Sequence, residues 1–271
     1  MNRLPTYFIS HGGGPWPWLT GHFRAYFERL EQSLQDTARE IGPRSKAMLV
    51  VSGHWEAPQF TVQSGAQPGM VYDYSGFPAE TYQIRYASPG APDVAARVLD
   101  LLKHAGIDAA LDPNRGYDHG TYAPLKAMYP NADVPVVELS LKDGYDVEEH
   151  LAAGRALTPL RDEGIVIMGS GLSWHNLRMI GPQARESSAA FDAWLDQTLA
   201  APPDERIRRV KAWEKAPMAR ISHPTEDHFI PIAVALGAAE REAAHRVYHE
   251  ENFMGGVTAS SYRFGDYTTS R

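Results

Sequence analysis

"TYFISHGGGP", residues 6–15, is an apolar run that breaks off at a histidine. Tyr7, Phe8 and Ile9 read as a buried strand, Ser10 and His11 follow, and then come three glycines and Pro15. Glycine gives the backbone freedom and lets a ligand approach closely. The same sequence of events occurs twice more. "AMLVV" (47–51) runs into Ser52-Gly53-His54-Trp55, and "GIVIMG" (164–169) runs into Ser170-Gly171-Leu172-Ser173-Trp174-His175-Asn176. With "VPVVELSL" (134–141) these make four short runs that are mostly continuous rather than alternating. Such runs suit a sheet covered on both faces. If the strands are parallel, their carboxyl ends lie together, and ligands of open α/β sheets bind beyond those ends.

Helical patterns fill the intervals. Residues 19–40 place Leu19, Phe23, Phe27, Leu30 and Leu34 at three- and four-residue steps. Further helices are expected over 91–105, closed by Gly106, and over 147–164, 187–200 and 225–246. Pro231 inside the last of these marks either a helix start or a kink. Residues 201–220 read as a charged surface excursion, 57–90 as a long Gly-, Pro- and Tyr-rich loop of the kind that often carries function, and "GGVTASSYRFGDY" as a final strand. Strands alternating with helices imply one α/β domain over residues 1–271, with three layers, α/β/α, around a mostly parallel or mixed central sheet.

Composition narrows the chemistry. The chain has 271 residues, no cysteine and a net charge of −7. It therefore has no disulfide framework, thiolate site or cysteine nucleophile, and its charge argues against nucleic acid or an anionic membrane as a partner. No apolar run approaches membrane-spanning length and no signal peptide is evident, so a cytoplasmic location is expected. Any metal must use His, Asp or Glu, and there are 11 histidines. A lone histidine at a strand end is more often a hydrogen-bonded structural residue than a ligand. Three at equivalent ends of a cysteine-free chain favour a metal. Three histidines, or two and a carboxylate, leave coordination positions open, as a catalytic rather than a structural site does. Two further segments, "YDHGTYAPL" (117–125) and "SHPTEDHFIPI" (222–232), add histidines among acids and prolines. Asp118 either orients His119 or caps a helix. His22, His104, His150, His245 and His249 fall on expected helices and read as solvated or structural.

Seven stretches in order, "FISHGGGP", "VVSGHWE", "YDYSGFP", "YDHGTYAPL", "YPNADVPVVELSL", "GSGLSWHNLR" and "HPTEDHFIPI", span nearly the whole chain. In them the chain resembles the class III extradiol ring-cleaving dioxygenases, in particular their DOPA-dioxygenase-like branch. The resemblance implies one catalytic domain over residues 1–271 that opens a catechol ring, DOPA-like or related, with O2. It implies one divalent non-haem metal held by His11, His54 and His228. Ferrous iron would be the working metal, and zinc a plausible occupant of the isolated protein. The protocatechuate branch has a glutamate as third ligand, which leaves Glu226 as the alternative to His228. His175 is implied as catalytic base or as an additional ligand, and His119 as a residue that lines the site and hydrogen-bonds substrate or oxygen. The partners are then a small aromatic diol and O2. Trp16, Trp18, Trp55, Tyr74, Phe77, Tyr122 and Trp174 fall in or beside these stretches and are expected to supply an aromatic wall, several of them serving the core instead. Arg178 either meets a substrate carboxylate or pairs elsewhere. A zinc hydrolase using Glu56 or Glu226 as base and a binding protein without catalysis are the competing readings. Sequence alone leaves the oligomeric state open.

Overall fold

The computed structural model describes residues 3–266. Its strands are β1 (Thr6–Ser10), β2 (Ala47–Ala57), β3 (Phe60–Gln63), β4 (Ala109–Asp112), β5 (Val136–Lys142), β6 (Ile165–Gly171), β7 (Ala244–Phe253) and β8 (Val257–Phe264). The helices are α1 (Gly21–Ala25), α2 (Glu28–Ile41), α3 (Pro92–His104), α4 (His119–Met128), α5 (Val147–Leu157), α6 (Arg185–Leu199), α7 (Pro203–Lys211), α8 (Ala219–Ser222) and α9 (Pro231–Gly237). The strands form one eight-stranded sheet in the order β4-β3-β5-β2-β6-β1-β8-β7. Its centre, β5-β2-β6-β1, is parallel throughout, whereas β3 pairs antiparallel to β5 and β8 antiparallel to β1. The expected α/β/α domain with a mostly parallel sheet is what the chain forms.

Alternation along the central strands divides the core in two. Phe8, Leu49, Val51, Val137, Leu139 and Ile167 face one way and pack with α3, α5, α6 and α9. Tyr7, Ile9, Met48, Val50, Val136 and Met168 face the other way and pack with α2 and α4. Successive strand residues point to opposite faces, so an apolar run four or five residues long fills both layers at once. Each fully buried Leu or Val contributes about 1.5–3 kcal/mol relative to exposure. Among the described residues, no helix is long and apolar enough to cross a membrane.

Four expectations need correction. Residues 225–246 do not form one helix. Helix α9 begins at Pro231, whose missing N–H suits a first-turn position, and ends at Gly237; the chain then enters β7. "AHRVYHEE" has helix-forming composition, but antiparallel pairing with β8 overrides it, so His245 and His249 lie on a strand and not on a helix. The helix expected over 19–40 is broken at Tyr26-Phe27 into α1 and α2. The loop at 57–90 contains β3, and β4 follows α3. Helix α4 was obscured by Gly120 and Pro124. Pro124 cannot donate to the carbonyl of Gly120 four residues back, and that carbonyl instead accepts the Ser170 hydroxyl from β6.

Candidate metal centre

The carboxyl ends of β1, β2 and β6 do meet. His11 follows the last residue of β1, and its N–H donates to Gly171 O at 3.0 Å. Gly12 sits at φ +88°, a conformation glycine adopts freely, and a side chain there would overlap the Trp16 indole. That indole donates to His11 O at 2.8 Å. His54 lies within β2, where the register shifts between Val51 and Glu56. His228 comes from the turn before α9. Its carbonyl accepts from Leu172 N–H at 3.1 Å, and the close approach is possible because position 171 is glycine: a Cβ there would overlap that carbonyl.

The rings of these three histidines are 4.6–5.1 Å apart between centroids. One nitrogen from each lies within 4.8 Å of the others. His54 Nε2 and His228 Nε2 face each other at 3.1 Å. Two nitrogens at about 2.0–2.1 Å from a shared ion would be separated by roughly that distance. Both ring nitrogens of His11 are buried without a partner in the protein, a costly arrangement that a bound cation relieves. The outer nitrogens are held by carboxylates. His228 Nδ1–H donates to Asp227 Oδ2 at 2.6 Å, and Asp73 Oδ2 lies 3.2 Å from His54 Nδ1. Carboxylates in this position fix the tautomer and turn Nε2 toward the centre. Burial, reinforced by the neighbouring imidazoles, pushes His11 and His228 well below the ordinary histidine value and His54 down to about 4. All three are neutral at pH 7, the form that binds a metal. The residues present fit a divalent cation.

Two more histidines complete the cluster. His119 opens α4, and its Nδ1–H donates to Asp73 Oδ1 at 2.8 Å. Burial tends to raise the Asp73 carboxyl, but hydrogen bonding and attraction from His119 and His54 hold it below its usual range. The His175 ring stacks on His228, with centroids 3.3 Å apart and planes 14° from parallel. Its Nδ1 is 3.8 Å from Asp227 Oδ2, and burial lowers its pKa.

These five rings line a cavity of about 660 Å³. Of the expected wall, Tyr74 and Phe77 line it. Phe23, Phe77, Tyr74 and His119 form a run of edge-on rings with centroids 5.4–5.9 Å apart. The other aromatics fall on the core side of the expectation. Trp16, Trp55, Tyr122 and Trp174 are buried outside the lining. Trp16 stacks on Phe27 beneath the His11 loop, Trp55 carries the Arg115 guanidinium at 4.7 Å, and Trp18 packs against Tyr122. Large flat side chains beside a glycine loop here support the backbone from below. Arg178 is exposed and lies outside the lining. Asp118 neither orients His119 nor caps α4 through its side chain; it accepts from Ser52 Oγ at 2.7 Å and Arg115 at 2.6 Å. Glu226 pairs with Arg220 at 2.7 Å and is absent from the histidine cluster. His223 is a core residue, bonded to Ser173 O at 3.1 Å, and burial pushes its pKa down to about 3.

The sequence reading missed Asp73, Asp227, Phe23, Leu172, Leu177 and Met254. Asp73 had a signal, an acid inside the long loop at 57–90, and Asp227 had another, adjacency to His228.

A family model described as the catalytic LigB subunit of aromatic ring-opening dioxygenase matches residues 5–265. The "4,5-DOPA dioxygenase extradiol" of Beta vulgaris is 36% identical over 97% of each chain. Its namesake in Escherichia coli K12 is 31% identical over 97% of this chain and 95% of its own. A protein from Hapsidospora irregularis called "Dioxygenase tasH" is 34% identical over 98% of this chain and 86% of its own. The crystal structure of an uncharacterized Escherichia coli K12 protein superposes with a TM-score of 0.77 at 28% identity, covering 97% of this chain and all of that one.

Proposed function

The chain belongs to the LigB family of aromatic ring-opening dioxygenases, and from that premise we propose that it is an extradiol enzyme that opens a substituted catechol, DOPA-like or related, at a metal held by His11, His54 and His228. One observation carries this reading: three neutral histidines, two of them backed by carboxylates, converge at the floor of an aromatic-walled cavity. The names of the relatives support a catechol.

A divalent ion, ferrous iron in this reading, supplies when bound a Lewis acid for the diol and a route for electrons to O2. The protein supplies the rest. Neutral His175 accepts a proton from a catechol hydroxyl and returns it after the ring opens. Its position on His228 keeps it beside the metal-binding face, and Asp227 favours the protonated state it passes through. His119 donates Nδ1–H to Asp73, so its Nε2 is left as an acceptor for the second hydroxyl. Tyr74 and Phe77 present apolar faces to a flat ring and exclude water. The bond broken is the ring C–C bond beside the diol. For hydrolysis by a zinc-activated water, neither Glu56 nor Glu226 lines the cavity as a base, and the carboxylates that do, Asp73 and Asp227, are engaged with His119, His54 and His228.

The test is oxygen uptake after anaerobic Fe(II) loading, across a panel of catechols, with zinc-loaded protein as control. Iron-dependent uptake with a yellow ring-opened product is expected. No uptake by protein shown to hold iron would overturn the assignment.

A further inference from the structure

Away from its five histidines the cavity has a different chemistry. Phe23, Phe77, Leu172, Leu177 and Met254 line it there, together with Gly12, Gly13, Gly14 and Ser75. Leu177 is 70% exposed at the mouth, a position where a large apolar side chain stays in water unless something covers it. The Tyr74 hydroxyl is turned away, donating to Thr81 O at 2.6 Å, so that residue offers its ring. The groups with formal charge in the lining are two acids, Asp73 and Asp227. Among the described residues, neither lysine nor arginine lines the cavity. Arg24 is paired with Glu31 and lies over Trp16, and Arg178 stands outside.

These observations bear on the ring substituent. A divalent ion offsets the two carboxylates, and a chelated catechol adds negative charge of its own. A carboxylate on the side chain would then face two acids and an apolar wall without a counter-charge, which is unfavourable. An alkyl or ester chain would instead cover Phe23, Leu177 and Met254, a gain proportional to the apolar area buried.

Resting on the dioxygenase reading, we propose that the site selects catechols whose ring substituent is uncharged and apolar, and discriminates against those that carry a carboxylate.

The experiment compares 3-(3,4-dihydroxyphenyl)propanoate with its methyl ester, a pair of nearly equal shape, with L-DOPA and dopamine alongside. Iron-loaded protein gives kcat/KM, and zinc-loaded protein gives Kd by calorimetry without turnover. The ester is expected to exceed the acid by at least ten-fold in both. An acid that equals or beats its ester in either measurement overturns the proposal. If it does so only while Arg178 is present, and loses the advantage in Arg178→Gln, that exposed arginine is the recognition element instead. Should no catechol be turned over, the dioxygenase reading fails, while the zinc Kd ratio still decides this one; no binding of either compound overturns both. Leu177→Arg places a cation at the mouth and is expected to move the ester-to-acid ratio at least ten-fold toward the acid. An unchanged ratio would show that the substituent does not lie against Leu177.

Discussion

Replacing Asp73 by Asn isolates one carboxylate that serves two histidines. Asp73 Oδ1 accepts from His119 Nδ1 at 2.8 Å and from the His119 backbone N–H at 3.2 Å, while Oδ2 lies 3.2 Å from His54 Nδ1. Asparagine keeps the shape but has one acceptor oxygen and one NH2. If its oxygen stays with His119, its NH2 faces the His54 Nδ1–H, donor against donor. Relief requires His54 to change tautomer, and the protonated Nε2 then points at the metal position. Loss of an outer-sphere carboxylate typically costs ten- to hundred-fold in metal affinity, or about 1.4–2.7 kcal/mol. His54 is partly buried, with its side chain 17% exposed, which argues for the middle of that range. The assay is competition for Zn(II) against a chromogenic chelator at pH 7.5, with the unfolding midpoint of the metal-free protein as a check on folding. Asp73→Asn should weaken binding by about thirty-fold with a midpoint close to wild type, and His119→Gln should weaken it far less. Affinity within two-fold of wild type in a folded Asp73→Asn protein would refute the argument that Asp73 sets the His54 tautomer.

Three other outcomes are expected. His175→Ala should keep most metal affinity yet lose turnover by about a hundred-fold or more, the range for a general base; near-normal turnover would remove it from catalysis. Gly171→Ala should destabilise the fold by about 1–3 kcal/mol, the usual effect of overpacking, and lower metal affinity, because the new methyl displaces the His228 carbonyl; wild-type urea stability and affinity would show that the turn gives way freely. His150 is buried, with its pKa lowered to about 4 from 6.5, so between those values the unfolded chain takes up a proton that the native state does not. Stability should fall as pH drops through that window, and His150→Gln should flatten the slope by up to about 1.4 kcal/mol per pH unit; equal slopes for the two proteins in urea titrations at pH 7, 6 and 5 would exclude the contribution.

The readable parts of this molecule are those whose cause is local. An apolar run ending in Ser-His-Gly carries its own strand and its own exit, so β1, β2, β6 and the adjacency of His11 and His54 could be read from the residues themselves. His228 could not: nothing in "PTEDHF" separates His228 from Glu226, and the choice came through resemblance. Asp73 escaped because its partner, His119, is 46 positions away, and only the folded loop brings them into contact. The aromatic wall misled for a related reason. Trp55 directly follows His54, and successive strand residues point to opposite sides, so it faces the core; Trp16, five positions after His11, turns back under the loop to bond His11 O. Likewise "AHRVYHEE" follows helical preference until β8 offers it a ladder.

The donors of the metal set are far apart along the chain; His54 and His228 alone are separated by 174 positions. During synthesis, no nascent fragment ending before the turn that precedes α9 contains the complete set. The set is complete once the chain has been made through His228, with β7 and β8 of the sheet still to follow. An ion at the centre offsets the cost of holding both His11 nitrogens buried without a partner in the protein. The newly made protein is held ready for one cation, and scarcity of that cation should be felt as lower resistance to unfolding before it is felt as lower activity.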